Sequence, residues 1–280
     1  LPAAAPPVKV CLSRPAGRDK HEKKRFSAEY GQSKAEAILN INYELFTYLA
    51  YDGTNYCGFQ VQPNGRSVAA TFQDALEAVL GSRPDIKGCS RTERVHALGF
   101  RLNFHADTRI PPQKLPLALN QHLPPDIRVL AAQTVPEDFH ARYAAHTKTY
   151  LYRIHNHPID SPFDAAYYTR VPRRLDEAAM QAAAQQFVAP TIFWRLRGGQ
   201  FSAAHGDTVR TITDCHVTRR GDEVDIEVTA DGYLYNMVRI LAGTLCEVGA
   251  GRCALPTSPP FWQAGTAAGQ ALLCPQRACS

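Results

Sequence analysis

The sequence predicts a mixed fold of β-strands and α-helices, arranged as two successive series along the chain. Before Thr147, three segments with the composition and period of strands alternate with two amphipathic segments, and the connections are short. After Thr147, a second series of strand and helix segments follows. A chain of 280 residues can hold one large domain or two small ones. The two series are compatible with two subdomains.

The first series is defined by apolar periodicity and by end signals. Ser67 is a predicted N-cap and Gly81 a predicted stop for one helix. In the central strand, every second residue from Leu98 to Phe104 is apolar, which predicts one buried face, while Arg101 and Asn103 face the other way. The predicted elements are strands over residues 45–51, 98–104 and 127–135 and helices over 67–80 and 111–122.

The second series begins with a strand over 148–154 in which Tyr150, Tyr152 and Ile154 share one face. A helix is predicted over 175–187, and a hairpin is predicted from strands that begin near 208–212 and 224–228. The last helix is expected to open within 231–240, to carry an apolar stripe as far as Val248, and to end at Gly249 and Gly251.

The net charge of +5 is concentrated at the N-terminus, where residues 1–40 contribute +4 and the remaining 240 residues +1. We expect residues 1–43 to form a basic, largely irregular extension, with a short helix over 33–39. Such a tail suits an arm that touches nucleic acid or an acidic partner, and it equally suits a disordered, soluble leader. Its Ala- and Arg-rich composition predicts a mitochondrial location, with the cytoplasm as the alternative.

The eight cysteines include no Cys-x-x-Cys pair, so neither a zinc framework nor a dense disulfide scaffold is predicted. We expect free thiols in a reducing compartment and no bound metal. No apolar run reaches the length that a membrane-spanning helix needs, so no membrane association is expected.

The charged turn within residues 88–99 is the candidate for chemistry, because Glu93 lies between the guanidinium groups of Arg91 and Arg94 at the start of the central strand. A carboxylate placed in this way suits a functional cleft. The same spacing also suits a solvated turn with a surface ion pair, which contributes little stability. The residues alone leave both interpretations open.

This turn resembles a motif of the TruA-type tRNA pseudouridine synthases, Arg-Thr-Asp-Ala/Ser-Gly-Val-His-Ala. The chain has Arg91-Thr92 and Val95-His96-Ala97, and between them Glu93-Arg94 in place of Asp-Ala/Ser-Gly, so the turn is one residue shorter. Four further motifs of that family follow the same order. They lie at 51–63 (Tyr-Asp-Gly-Thr-x-Tyr-x-Gly-Phe-Gln-x-Gln-Pro), 139–152 (Phe-x-Ala-Arg-Tyr, then Lys-x-Tyr-x-Tyr), 208–240 (Thr-Val-Arg-x-Ile, then Gly-Tyr-Leu-Tyr-x-Met-Val-Arg) and 265–273.

The resemblance implies an α+β fold of two similar α/β subdomains with antiparallel sheets and a central RNA-binding cleft, the pseudouridine synthase fold. It implies subdomains over 44–142 and 143–280, and a homodimer. In that family an aspartate attacks a flipped uridine, the glycosidic bond breaks, the base rotates, and C5 rejoins the sugar. The family needs no cofactor.

By the same resemblance, the catalytic residues are Glu93 in place of the aspartate, Tyr150 stacked on the target base, and Arg239 beside the carboxylate. The RNA-binding residues implied at motif positions are Arg91, His96, Arg142, Lys148 and Arg210, and Arg94, the further cation of the altered turn, is expected to bind RNA as well. The partner is structured RNA, either tRNA or rRNA, in a ribonucleoprotein assembly or alone.

Three functional hypotheses follow from the altered turn. A glutamate carries its carboxylate about 1.5 Å further out than an aspartate, and a displacement of that size can cost about a hundredfold in rate. The first hypothesis is therefore an RNA-binding homologue with impaired or lost catalysis and a structural or assembly role. The second is an active synthase that uses Glu93, and the third is a protein-binding scaffold.

Overall fold

The computed structural model describes residues 9–12, 41–63, 65–162, 165–188, 190–192, 209–234 and 236–253. They divide into two compact units. The N-terminal unit comprises the described residues of Ser13–Glu93 and Ala97–Ala145, and the C-terminal unit those of Leu1–Leu12, Arg94–His96 and His146–Ser280. The helix predicted over 33–39 and the motif at 265–273 lie outside the described residues. The subdomain bounds 44–142 and 143–280 stay a prediction.

Fourteen helices and strands, together with one 3₁₀ turn over Pro112–Lys114, make up the described part of the chain. In order they are β1 (Lys9–Leu12), β2 (Ile41–Tyr51), α1 (Val68–Leu80), β3 (Lys87–Gly88), β4 (Val95–Thr108), α2 (Leu115–His122), β5 (Ile127–Val135), β6 (Lys148–His155), β7 (Thr169–Arg170), α3 (Glu177–Gln185), β8 (Pro190–Ile192), β9 (Val209–Arg220), β10 (Glu223–Ala230) and α4 (Met237–Gly249). The alternation of helices and strands confirms the α+β fold.

In the N-terminal unit, β2 lies between β4 and β5 and pairs antiparallel with both, and β3 adds to β4. Helices α1 and α2 contribute Phe72 and Leu119 to the core that covers one face of this sheet, where Leu45, Phe100 and Phe104 are fully or almost fully buried. Burial of these large apolar side chains is the main stabilising term of the unit.

Helix α1 confirms its predicted ends. The Ser67 hydroxyl accepts a hydrogen bond from the amide of Ala70 at 3.1 Å. Gly81 adopts a left-handed conformation with φ of 73°, and its amide donates to the Glu77 carbonyl. Each end therefore satisfies a backbone group that the helix itself leaves without a partner.

The central strand β4 departs from the predicted alternation at Leu98, whose side chain is 56% exposed, although the predicted apolar face included it. Leu49 pairs with Phe100 but Tyr51 pairs with Ala97, so β4 carries one residue more than β2 over this stretch. This β-bulge turns Ala97 inward and Leu98 outward. Phe100 and Phe104 keep the predicted buried face.

Two helices begin later than predicted. The 3₁₀ turn over Pro112–Lys114 takes the place of the start of α2, which begins at Leu115 with Pro116 in its first turn, where a missing amide is tolerated. Asp176 caps α3 by accepting from two backbone amides, so α3 begins at Glu177. Helix α4 begins at Met237, within the predicted segment 231–240, after Asn236, which has a left-handed φ of 59°.

In the C-terminal unit, β6 pairs antiparallel with β1 and β10, and β10 forms the predicted hairpin with β9. The antiparallel arrangement of both units confirms what the resemblance implied. Tyr152 and Ile154 of β6 pack in a core with α3 and α4, to which Met180 and Leu241 contribute. The apolar stripe of the last helix is therefore core, as predicted.

The described cysteines, Cys57, Cys89, Cys215, Cys246 and Cys253, are free thiols. Burial, with a smaller contribution from Asp214, raises the pKa of the Cys215 thiol to about 12, so this thiol stays protonated at neutral pH. No helix within the described ranges has the length and apolarity to cross a membrane. The same ranges contain no cluster of three His, Cys, Asp or Glu side chains that could hold a metal ion.

Candidate active site

The loop after β2 holds the charged turn through a backbone contact at Gly58. The amide of Phe59 donates to the Arg91 carbonyl at 3.1 Å. Gly58 has φ of 111°, and a Cβ at this position would lie 2.6 Å from the Arg91 carbonyl oxygen and 3.2 Å from the carbonyl carbon of Thr92. Only glycine combines this φ with this close approach. A glycine at position 58 is therefore a structural requirement of the turn.

Aromatic packing fixes the first residues of the turn. The rings of Phe59 and Phe100 lie 4.1 Å apart, and the guanidinium of Arg91 lies over Phe100 at 5.3 Å from the ring centre. The Ser90 hydroxyl donates to the Gln60 side-chain oxygen at 2.7 Å. The side chain of Arg91 is thus directed by a ring of β4, and a cation–π contact of this kind contributes about 0.5–2 kcal/mol.

The loop that carries Gly58 is itself anchored at Asp126. The amide of Asp52 donates to the Asp126 carbonyl at 2.8 Å, and the Tyr56 hydroxyl donates to the Asp126 carboxylate at 2.7 Å. Burial, followed by this hydrogen bond, raises the pKa of the Tyr56 hydroxyl, which therefore remains a donor at physiological pH. The two bonds place the loop relative to the start of β5.

Glu93 and Arg94 form the exit of the turn, immediately before β4. Glu93 is exposed, and Arg94 is half-buried with a left-handed φ of 55°. A side chain in this conformation costs about 1–2 kcal/mol relative to an ordinary backbone conformation. Arg94 directly precedes Val95, and in the motif of the resembled family the residue before this valine is glycine. The left-handed conformation thus occurs at the position where the motif has the one residue that adopts it without strain.

His96 is 4% exposed, and its ring lies 5.2 Å from that of Tyr167, both in the C-terminal unit. It is therefore covered by protein in this structure. Its implied contact with RNA stays a prediction.

Tyr150 lies at the end of the apolar face of β6, half-buried, with the edge of its ring against Tyr233 at 4.7 Å and 81°. The Tyr233 hydroxyl lies 2.7 Å from the Val228 carbonyl and 3.0 Å from the Lys148 carbonyl, and donates to these backbone oxygens. Tyr233 is fixed by the backbone of two strands and in turn orients Tyr150. An edge-to-face pair of this kind contributes about 0.5–1.5 kcal/mol beyond burial.

Arg210 is positioned by the segment that precedes α4. The amide of Thr211 donates to both carboxylate oxygens of Asp231 at 3.1 Å, and the amide of Asp231 donates back to the Thr211 carbonyl. A Cβ at Gly232 would lie 3.2 Å from Nε of Arg210, so the glycine leaves room for the guanidinium. Arg239 lies in the first turn of α4, half-buried.

The segment that carries Arg142 is clamped by the side chain of Asn103, which is 0% exposed. Its Oδ1 accepts from the amide of Ala141 at 2.7 Å, and its Nδ2 donates to the Phe139 carbonyl at 3.0 Å and to the Glu44 carboxylate. Both N–H donors of the carboxamide and one of its two acceptor lone pairs are used. Arg142 follows the clamp directly and is exposed.

Glu44 is itself buried, and two basic side chains lie beside its carboxylate. Nζ of Lys87 and Nδ1 of His105 each lie 3.5 Å from one of its carboxylate oxygens. A buried carboxylate is tolerated only when it is paired and hydrogen-bonded. The clamp on the Arg142 segment therefore depends on a charge network that lies on the face of the sheet opposite the helices.

Comparisons with known proteins identify the family to which these motifs belong. A family model described as tRNA pseudouridine synthase matches residues 48–144 and 196–259, which is more than half of the chain. The chain belongs to this family. It is 42% identical over 217 residues to tRNA pseudouridine synthase A of Caldicellulosiruptor saccharolyticus, a match that covers 76% of this chain and 86% of that protein. The protein of the same name from Halalkalibacterium halodurans is 42% identical over 209 residues, covering 73% and 78%.

The chain is thus a TruA-type pseudouridine synthase homologue, as the motifs predicted. Its implied site residues fall in both units. The N-terminal unit contains Arg91, Glu93 and Arg142, and the C-terminal unit contains Arg94, His96, Lys148, Tyr150, Arg210 and Arg239. The catalytic and RNA-binding roles of these residues stay predictions.

Sequence reasoning missed the residues that position the others. Gly58, Asn103 and Tyr233 lay within or next to the quoted motifs but received no role, because a backbone contact or a buried carboxamide bond leaves no periodic signal. Asn103 lay on the face of the alternating strand that was not predicted to be buried, so nothing in the sequence distinguished it from Arg101.

Replacing Gly58 by alanine is expected to destabilise the protein by about 2–4 kcal/mol, because the Cβ would clash with the Arg91 carbonyl at an unfavourable φ. Urea unfolding measures this cost. Gly81→Ala is the matched control, because Gly81 also has a positive φ but nothing within 4 Å of the added Cβ. A cost for Gly58→Ala no larger than that of Gly81→Ala would contradict the packing account.

At position 94, glycine is expected to give a protein about 1 kcal/mol more stable than alanine, because only alanine is strained at φ of 55°. The comparison of Arg94→Gly with Arg94→Ala by urea unfolding tests this order. Thr218, which is exposed on β9, is the control position. There Thr218→Gly should be less stable than Thr218→Ala, because glycine weakens a strand. Equal stabilities of the two variants at position 94 would show that the turn is not strained there.

Asn103→Asp is expected to cost about 3 kcal/mol or more, because a buried carboxylate would then face the Glu44 carboxylate and the Phe139 carbonyl. Thermal or urea unfolding measures the loss. Asn55→Asp makes the same change at an exposed loop position and should alter stability by less than about 0.5 kcal/mol. Similar losses for the two variants would rule out the clamp.

Proposed function

We propose that this chain binds tRNA and that its isomerisation of uridine to pseudouridine is strongly reduced or absent. The relatives at 42% identity are named tRNA pseudouridine synthase A, which supports tRNA as the substrate class. The observation that carries the reduced activity is the exit of the turn. Glu93 and a strained Arg94 occupy the place of three smaller residues in the family motif.

The chemistry explains why this exit matters. The attacking carboxylate must meet the sugar or base of a flipped uridine at bonding distance, and a misplacement of about 1 Å can cost about a hundredfold in rate. Glu93 extends the carboxylate by one carbon–carbon bond while the missing residue shortens the backbone that carries it. Arg94 also brings a long cationic side chain to a position where the motif has only small residues. The two changes act together on the same group.

An active synthase that uses Glu93 is the second candidate. It is favoured by the intact entry to the turn, because Arg91 is held by Phe59 and Phe100 and directly precedes Thr92 and Glu93. A carboxylate therefore still follows the Arg-Thr pair in a fixed frame. This candidate requires that the longer side chain of Glu93 offset the shorter backbone.

If catalysis is lost, the role on RNA is structural or in assembly. An rRNA target, a ribonucleoprotein partner, a homodimer, a mitochondrial location and a protein-binding scaffold with a vestigial cleft are further hypotheses from the sequence. Binding of tRNA that weakens with salt separates the RNA-binding hypotheses from the scaffold, because phosphate contacts are lost as salt rises.

Release of tritium from tRNA labelled at uridine C5 tests the proposed function. The Caldicellulosiruptor saccharolyticus relative serves as the positive control. We expect this chain to bind the tRNA in a salt-sensitive way and to release tritium at least about a hundredfold more slowly than the relative.

The variants decide between the two candidates. Glu93→Ala is the test variant, and Glu137→Ala, at an exposed glutamate of the N-terminal unit, is its matched control. Rapid release that Glu93→Ala abolishes and Glu137→Ala preserves would overturn the proposal in favour of the active synthase. Absence of tRNA binding at low salt would overturn both candidates and favour the scaffold.

A further inference from the structure

The turn over residues 139–143 presents two aromatic rings and a cation at the surface of the N-terminal unit. Tyr143 is 74% exposed, and its ring lies 4.3 Å from that of His140 at an angle of 45°. Arg142 is exposed between them in the chain, and its guanidinium forms no ion pair with any residue that the structure describes. Exposed tyrosines are common, so exposure alone would carry no conclusion.

What distinguishes this turn is that its backbone and the His140 ring are already fixed. The amides of Tyr143 and Ala144 both donate to the His140 carbonyl, at 3.0 and 2.9 Å. The amide of Arg142 lies 3.3 Å from Nδ1 of His140 and donates to it, which holds the imidazole ring beneath the tyrosine. Little backbone conformational entropy therefore remains to be lost at this turn when a ligand binds.

The rest of the unit anchors the turn from below. Asn103 bonds the backbone on both sides of His140, and the Phe139 ring packs edge-on against Phe46 at 5.2 Å. The buried carboxamide and the buried ring therefore fix the position of this surface turn. The exposed side chains of Arg142 and Tyr143 are thus held at a defined place on the surface, which suits contact with an external ligand.

An unpaired nucleotide is the ligand that these side chains fit. Aromatic faces stack on unstacked bases whatever the sequence, and an arginine beside them pairs with the adjoining phosphate. The acidic residues of this loop, Glu137 and Asp138, precede the Asn103 clamp, whereas Arg142 and Tyr143 follow it. The charge that accompanies the ring pair is therefore positive, which favours RNA over a cationic peptide.

We propose that His140, Arg142 and Tyr143 form a stacking site for an unpaired base of the bound RNA, with Arg142 on the neighbouring phosphate. This inference rests on the proposed tRNA binding and adds to it a contact for a nucleotide. The ring of Tyr143 supplies the stacking surface, His140 supports that ring, and the Asn103 clamp sets where the base is held.

The test measures binding of tRNA and of a fully paired RNA duplex by fluorescence anisotropy over a series of salt concentrations. Tyr143→Leu should weaken tRNA binding about tenfold without changing its salt dependence, and should leave binding of the duplex as in the wild type. Tyr143→Phe, which keeps the ring, should restore tRNA binding. Arg142→Ala should reduce the slope of log affinity against log salt by about one.

Leu117→Ala, which removes an exposed apolar side chain from α2, is the matched surface control and should bind tRNA as the wild type does. Urea unfolding should give Tyr143→Leu the midpoint of the wild type, because the ring is exposed. If wild type and Tyr143→Leu bind tRNA equally, the stacking site is overturned while the proposed tRNA binding stands. Equal weakening of tRNA and duplex binding also overturns it. If the wild type binds no tRNA, the proposed function itself fails.

Discussion

The close approach of Gly58 to the Arg91 carbonyl is the constraint on which the candidate site depends. It holds because position 58 has no side chain, because Phe59 donates to the same carbonyl, and because Phe100 packs against both Phe59 and Arg91. The loop after β2 and the turn before β4 are therefore one structural piece, although some thirty residues separate them in the chain. A change to either would displace the carboxylate that follows Thr92.

This contact lies at the entry to the turn, whereas the change in the family motif lies at its exit. The entry to the turn is held by the hydrogen bond from Phe59 to Arg91 and by the Phe100 ring, and only its exit, Glu93 and Arg94, departs from the family motif. The supports of the other implied contacts, Tyr233 behind Tyr150 and Asn103 behind Arg142, lie away from that exit in the chain and are held by hydrogen bonds to the backbone. Apart from Arg94, we expect RNA binding and turnover to depend on different residues, which is the physical basis for proposing one without the other.

Periodicity and end signals were sufficient to predict most elements, because burial of one face leaves a regular pattern in the sequence. The ends of α1 could be predicted because Ser67 and Gly81 are residue types that cap helices. The failures have local causes: a bulge in β4 turned Leu98 outward, Pro116 and Asp176 delayed two helices, and neither effect changes the apolar pattern. The motifs identified the family and the turn. They did not reveal Gly58, Asn103 or the strain at Arg94, because close contacts between distant segments and backbone dihedrals are properties of the folded chain alone.

The most direct test restores the family motif by replacing Glu93-Arg94 with the tripeptide Asp-Ala-Gly, and then measures the single-turnover rate and the tRNA dissociation constant on the same preparation. We expect the rate to rise by about a hundredfold or more while the tRNA still binds, weakened at most by the loss of the contact expected from Arg94, because the supports of Tyr150 and Arg142 are untouched. A rate that does not rise while tRNA still binds would contradict the claim that this turn limits the activity of the chain.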